Sequence, residues 1–77
     1  MKKFYFVGGP KEGFAEEFFR RLGEVGGTPP GWHIQPHASH DGKALHIVEA
    51  ESINDILEHL QQFNGIYDSG EIIQIVN

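Results

Sequence analysis

Hydrophobic and polar positions change their period several times along the chain, and each change marks an element. In "KKFYFVGGP" the aromatic and β-branched residues Phe4 to Val7 read as a short strand, stopped by Gly8, Gly9 and Pro10. From Lys11 the period lengthens. Phe14, Phe18 and Leu22 recur at i, i+4 and i+8, with Ala15, Phe19 and Val25 widening the stripe, which predicts an amphipathic helix. Glu16–Arg20 and Glu17–Arg21 form i,i+4 pairs in the favourable order on its outer side. Gly26 and Gly27 end this helix, and "TPPG" makes a stiff loop. "WHIQPHAS" and "KALHIVEA" then read as strands on either side of "HDGK", where Asp41-Gly42 predicts a tight hairpin, because a type I′ turn needs φ > 0 at both central positions. Ser52 is placed to cap a second helix, with Asp55 completing an approximate capping box and Ile53, Ile56, Leu57, Leu60 and Phe63 as the apolar stripe. Asn64-Gly65 stops it, and "GEIIQIVN" reads as a last strand.

The order βαββαβ predicts an α+β fold, the ferredoxin-like split βαβ arrangement, as a single domain over residues 1–77. Its four-stranded, antiparallel-type sheet has the order 4-1-3-2, with both helices on one face and strands one and three expected central and parallel. Pro36 falls in strand two, an edge, where a missing N–H is tolerated. Strand parity then predicts two faces. A two-residue turn at Asp41-Gly42 pairs His40 with Lys43, Ala38 with Leu45 and His37 with His46. The helix-facing side receives Phe4, Phe6, Ile34, Ala38, Leu45, Ile47, Ile73 and Ile75, and the expected core is Phe4, Phe6, Phe14, Phe18, Leu22, Leu45, Ile47, Ile56, Leu60, Ile73 and Ile75. The open face receives Lys3, Tyr5, Val7, His33, Gln35, His37, His46, Val48, Ile72, Gln74 and Val76.

Size and charge narrow the partners. A chain of 77 residues buries only about 60% of its unfolded surface, so a second subunit would add burial that one copy lacks. There is no cysteine for a disulfide or a thiolate metal site. The formal charge is −5 and the six basic residues are dispersed, which argues against nucleic acid and anionic membrane as partners. The run Phe4–Val7 is shorter than the roughly 7–15 residues of a signal-peptide core, and nothing approaches the ~20 of a membrane span. A soluble, cytoplasmic protein is expected.

"WHIQPHASH" holds three of the five histidines. His33 and His37 lie roughly 13 Å apart along an extended strand, and His40 has the opposite parity, so the run is not a chelate. His37 and His46 are the one pair expected to meet across strands, and two imidazoles make a poor metal site. No metal and no cofactor are predicted. His59, near the end of the second helix, suits the helix dipole. The "GGPKEG" loop matches no phosphate-binding pattern, and Glu49 and Glu51 read as solvent-facing charges. No catalytic residue is named by any motif.

"KKFYFV", "GGTPPGWHIQPHAS" and "DGKALHIVEAES" together resemble a family of uncharacterised small ferredoxin-like proteins, a domain of unknown function related in fold to the dimeric α+β barrels. The resemblance covers nearly the whole chain and rests most on the Gly26–Pro30 loop and on the strand leading to Glu49 and Ser52. It implies a fold and a homodimer, and no activity. The expected function is therefore a small homodimeric ligand-binding module. Tyr5, His33, Gln35, His37, His46 and Gln74 are its candidate ligand contacts; Tyr5, Val7, Val48, Ile72 and Val76 are its candidate dimer interface. Two alternatives stand beside it: a cofactor-independent enzyme, monooxygenase- or isomerase-like, using the histidine and tyrosine cluster, and a subunit that only binds protein.

Overall fold

The computed structural model describes residues 1–40 and 43–76, with residues 36–40 described by their backbone alone. The elements are β1 (Lys2–Pro10), α1 (Ala15–Glu24), β2 (Trp32–His40), β3 (Lys43–Ala50), α2 (Ile53–Gln61), β4 (Tyr67–Ser69) and β5 (Ile73–Ile75). Among the described residues this is an α+β chain of two helices and one sheet of five strands rather than the expected four, in the order β2-β3-β1-β4, because the last strand is divided into β4 and a separate β5, which also pairs with β1. Every pairing is antiparallel. Strands one and three are central, as expected, but they are not parallel. The α1 crossover returns β2 alongside β1 in the same direction, and the hairpin then brings β3 back between them in the opposite one. The edge position of β2, with Pro36 in it, agrees with the expectation. The Asp41-Gly42 turn itself lies outside the described residues, although His40 and Lys43 pair on either side of it.

Both helices form where the apolar stripes predict, and each ends on a local signal. The Val25 and Gly27 N–H groups donate back to Arg21 O and Leu22 O, and Gly26 and Gly27 take φ of 94° and 88°, conformations a side chain would resist. Arg21 pairs with Glu17 at 3.1 Å, as expected, whereas Arg20 turns to Glu24 at 2.8 Å rather than to Glu16. Ser52 caps α2 with extended backbone, and its side chain makes no capping bond. No described helix is long and apolar enough to cross a membrane.

The two sheet faces differ from the expected ones in β3 and β5. Opposite Leu45 stands Gln35 rather than Ala38, and opposite His46 stands Ile34 rather than His37. The register is displaced by three positions between the His40–Lys43 pair and the rest of the ladder, through an irregularity between Gln35 and His40. Pro36, with no N–H to give the ladder, lies in that interval. Side chains alternate with period 2, so an odd displacement turns a strand over. β3 therefore points His46, Val48 and Ala50 at the helices, opposite Phe6, Phe4 and Lys2 of β1. Leu45 and Ile47 point the other way, beside Val7 and Tyr5. The last strand turns over for the same reason. β4 pairs Ser69 with Gly8, while β5 pairs Ile73 with Tyr5 and Ile75 with Lys3, a register one residue longer. The extra residue falls in the link at 70–72, where the Gly70 N–H donates to Val7 O, and it sends Ile73 and Ile75 to the open face.

The core is consequently Phe4, Phe6, Val48, Ala50 and Ile56, with Trp32, Leu60 and Ile72 packed against it. Phe63 and Ile66 are also buried. Of the expected core, Phe4, Phe6 and Ile56 are buried and Phe18, Leu22 and Leu60 are half-buried. Phe14 is exposed at the N-cap of α1, and Leu45, Ile47, Ile73 and Ile75 lie on the other face.

Candidate functional site

On the helix-facing side of the sheet, side-chain size falls sharply along β1 and β3. Phe6 stands opposite His46, and the next inward pair is Gly8 opposite Ala44. These two leave the sheet floor low where α1 crosses it, and a cleft of about 220 Å³ opens there between the sheet, α1 and α2. Phe18 and Leu22 of α1 form its roof, Leu60 and Phe63 its α2 side, and Trp32 and Ile34 of β2 its far wall. Gly8 does more than leave space. A Cβ there would stand 2.8 Å from Tyr67 Oη and 3.0 Å from the Tyr67 ring, so the glycine lets the Tyr67 side chain approach the strand closely. The "GGP" segment, expected to stop the strand, is strand throughout.

An aromatic network surrounds the cleft. His46 stacks on its cross-strand partner Phe6 at 4.6 Å and 9° between planes. Trp32 meets Phe6 edge-on at 5.8 Å and His59 at 4.9 Å, and Phe18 lies 5.0 Å from Phe63 and 5.2 Å from Tyr67. Such offset and edge contacts add to the area that each ring buries. Within this apolar wall sits one linked polar pair. His46 Nδ1–H donates to Ala44 O at 2.9 Å, and Tyr67 Oη–H donates to His46 Nε2 at 3.4 Å. Loss of hydration holds the His46 pKa below its ordinary value, against a smaller upward push from the Ala44 carbonyl, so the ring is neutral at neutral pH. Burial likewise lowers His59 and pushes the Tyr67 phenol up to about 12. His59 is thus held uncharged against Trp32 and Phe63, which removes the dipole role expected of it.

The expected ligand contacts do not gather. Tyr5, His33 and Gln35 lie on the open face, where His33 Nε2 stands 3.9 Å from Glu49 Oε1. His46 is on the opposite, helix-facing side, and Gln74 stands opposite Phe4, exposed. The His37 side chain lies outside the described residues. Of the expected interface, Tyr5 and Val7 are on the open face, but Val48 is fully buried beneath the helices and Ile72 packs on the core. Val76 is 81% exposed beyond β5. The open face is completed instead by Leu45, Ile47, Ile73 and Ile75.

Sequence reasoning missed Tyr67, which sits in "IYDSG" without a strand's alternation. It also missed the cleft's use of Gly8. The available signal was a glycine pair inside an aromatic strand, which marks close approach by another group. A second, wider depression of about 580 Å³ near the start of α1 is lined by Lys11, Glu12, Lys43 and Asp68. Its charges are of both signs, and nothing in it is buried enough to orient a ligand. Among the described residues no three histidine, aspartate or glutamate side chains come close enough to share a metal ion. No known protein family matches the chain, and no curated protein or solved structure does so either.

Proposed function

We propose that the chain is a ferredoxin-like module that binds a small, largely apolar molecule in the cleft between α1, α2 and the sheet, and that it works as a homodimer. One observation carries the reading: an apolar cleft of about 220 Å³ contains a single linked polar pair, His46 and Tyr67. Ligand sites combine a mostly apolar lining with a few placed polar groups in this way. The strand order β2-β3-β1-β4 supports the ferredoxin-like part of the reading.

Trp32, the only tryptophan, lines the cleft and reports on it directly. Titration with toluene is expected to change Trp32 fluorescence saturably, and Ala44→Leu, which raises the floor, is expected to abolish the change. A linear, unsaturable response from the unmodified protein would remove the cleft as a binding site.

The dimer part of the reading rests on the open face. Tyr5, Val7, Leu45, Ile47, Ile73 and Ile75 make that face more apolar than the sequence suggested, and a patch of this kind marks an interaction surface. Sedimentation tests it through Ile47→Asp, which is expected to shift a dimer to monomer. Val48, placed by the sequence in the interface, is buried under the helices and plays no part in this face.

An acid–base enzyme is the second reading, favoured by the contact of Tyr67 Oη with His46 Nε2. A neutral imidazole beside a phenol can take and return a proton. Exchange of cyclohexanone α-protons with deuterated solvent, lost in His46→Phe, would support it.

A further inference from the structure

The polar pair has a direction. Ala44 O can only accept, so Nδ1 of the neutral His46 ring carries the hydrogen and Nε2 presents a lone pair. Tyr67, which lines the cleft, must then give its own hydrogen to Nε2, and this leaves Oη only as an acceptor. The chain of donors runs one way, from Tyr67 through His46 to the backbone of β3. A ligand that joins this chain joins at its open end, and it does so as a donor.

Charge selects further. Among the described residues that line the cleft there is no lysine, arginine, aspartate or glutamate, and the remaining titratable ring there, His59, is held uncharged against Trp32. A carboxylate entering would lose its hydration and meet no cation, a cost that one hydrogen bond does not offset. Size selects as well. An apolar cavity of about 150 Å³ accepts benzene, so about 220 Å³ suits one substituted ring. The ring faces and edges of Phe18, Trp32 and Phe63 suit an aromatic one.

We infer that the cleft selects a neutral phenol, one aromatic ring carrying a hydroxyl that donates to Tyr67 Oη, over the matching hydrocarbon, ether and carboxylate. This rests on the small-ligand reading above. Such a ligand would extend the two existing bonds to a chain of three, ligand hydroxyl to Tyr67, Tyr67 to His46 and His46 to Ala44 O, in which each bond polarises the next.

The test compares four probes of one size on the full chain at pH 7.5: toluene, p-cresol, 4-methylanisole and 4-methylbenzoate, each followed through Trp32 fluorescence. p-Cresol, with a pKa near 10, stays neutral there. It is expected to bind about 3- to 10-fold more tightly than 4-methylanisole, the range of one net hydrogen bond, and 4-methylbenzoate is expected to bind most weakly. Tyr67→Phe removes the acceptor and His46→Phe frees the Tyr67 hydrogen to serve an ether. Either is expected to bring the p-cresol to 4-methylanisole ratio close to one while toluene binding persists. Saturable toluene binding with p-cresol no tighter than 4-methylanisole in the unmodified protein would overturn the inference and leave the cleft reading intact. Tightest binding by 4-methylbenzoate would overturn it too. If none of the four binds saturably, the small-ligand reading falls and the inference with it.

Discussion

The two helices are nearly equal in length, ten and nine residues, and both are amphipathic, yet they pack differently. α2 buries Ile56 completely, and α1 has no buried residue at all. The helix sequences do not explain this, since the α1 stripe of Phe18, Phe19 and Leu22 is the bulkier of the two. The explanation lies in the sheet. Beneath α2 the inward positions are Phe4, Phe6, Val48 and Ala50, which fill the space to the helix. Beneath α1 they are Gly8 and Ala44, and the vacant volume becomes the cleft. A helix can be held by its rim, through Phe18 on Phe63 and Tyr67, while its centre stays over a void. Open volume and close packing thus fall to the two ends of one sheet.

The most forceful way to break this comparison is truncation on each side. Ile56→Ala under α2 is expected to cost about 2–5 kcal/mol in urea denaturation, as for a buried side chain in a packed core. Leu22→Ala under α1 is expected to cost about 1 kcal/mol, since its side chain is half-buried against a cleft. Equal losses at the two positions would show that α1 is packed as tightly as α2. Next comes the floor. Gly8→Ala would press a methyl group onto Tyr67 and is expected to destabilise by about 1–3 kcal/mol, the cost of overpacking, while weakening probe binding in the cleft. Unchanged stability together with unchanged binding would mean that Tyr67 does not rest on this glycine.

Acid sharpens the comparison where the two regions meet. His46 and His59 both have pKa values lowered by burial. An unfolded chain takes up these protons near pH 6.5, and the folded chain only at lower pH. In that window the unfolded state binds more protons, so stability is complete above about pH 6.5 and declines as the pH falls below it. Urea midpoints across this range are expected to show the decline, and His46→Phe to flatten it. A midpoint that rises with acid would contradict the burial of both rings. The smallest effect is expected outside the cleft. Arg20→Ala breaks an exposed pair with Glu24 and should change stability by less than about 0.5 kcal/mol. A loss above 1 kcal/mol would show that the outer face of α1 contributes more than its exposure suggests.

Some of the site was legible before folding and some was not. Phe18 and Leu22 are legible as the inner stripe of a helix, because a period of 3.6 residues is written in the helix itself. Ile34 faces inward as the turn pairing predicts, although its partner is His46 and the displaced register turns β3 over. His46 was read onto the wrong face, and with it Val48. Leu45 and Ile47 are the more hydrophobic alternate set in "KALHIVEA", and hydrophobicity alone favours them for the core. Ile73 and Ile75 misled in the same way, and Tyr67 gave no strand signal to read.

The sequence by itself determined the two helices and the first three strands in their order, the edge position of the proline strand and the inward side of β1, and it showed one last strand where the chain forms two. All of these depend on residues within a few positions of one another. Only the tertiary structure decided which side of β3 and β5 meets the helices. An alternating strand specifies that its two faces differ and leaves their phase to the partner strand. Here an irregularity near Pro36 displaces one register by three residues, and an extra residue at 70–72 displaces the other by one. Both displacements are odd, so each exchanges the two faces of a strand. The cleft follows from the same cause. Its floor, its aromatic walls and the Tyr67–His46–Ala44 chain come from residues up to 59 positions apart, Gly8 to Tyr67, which only pairing across β1 brings together.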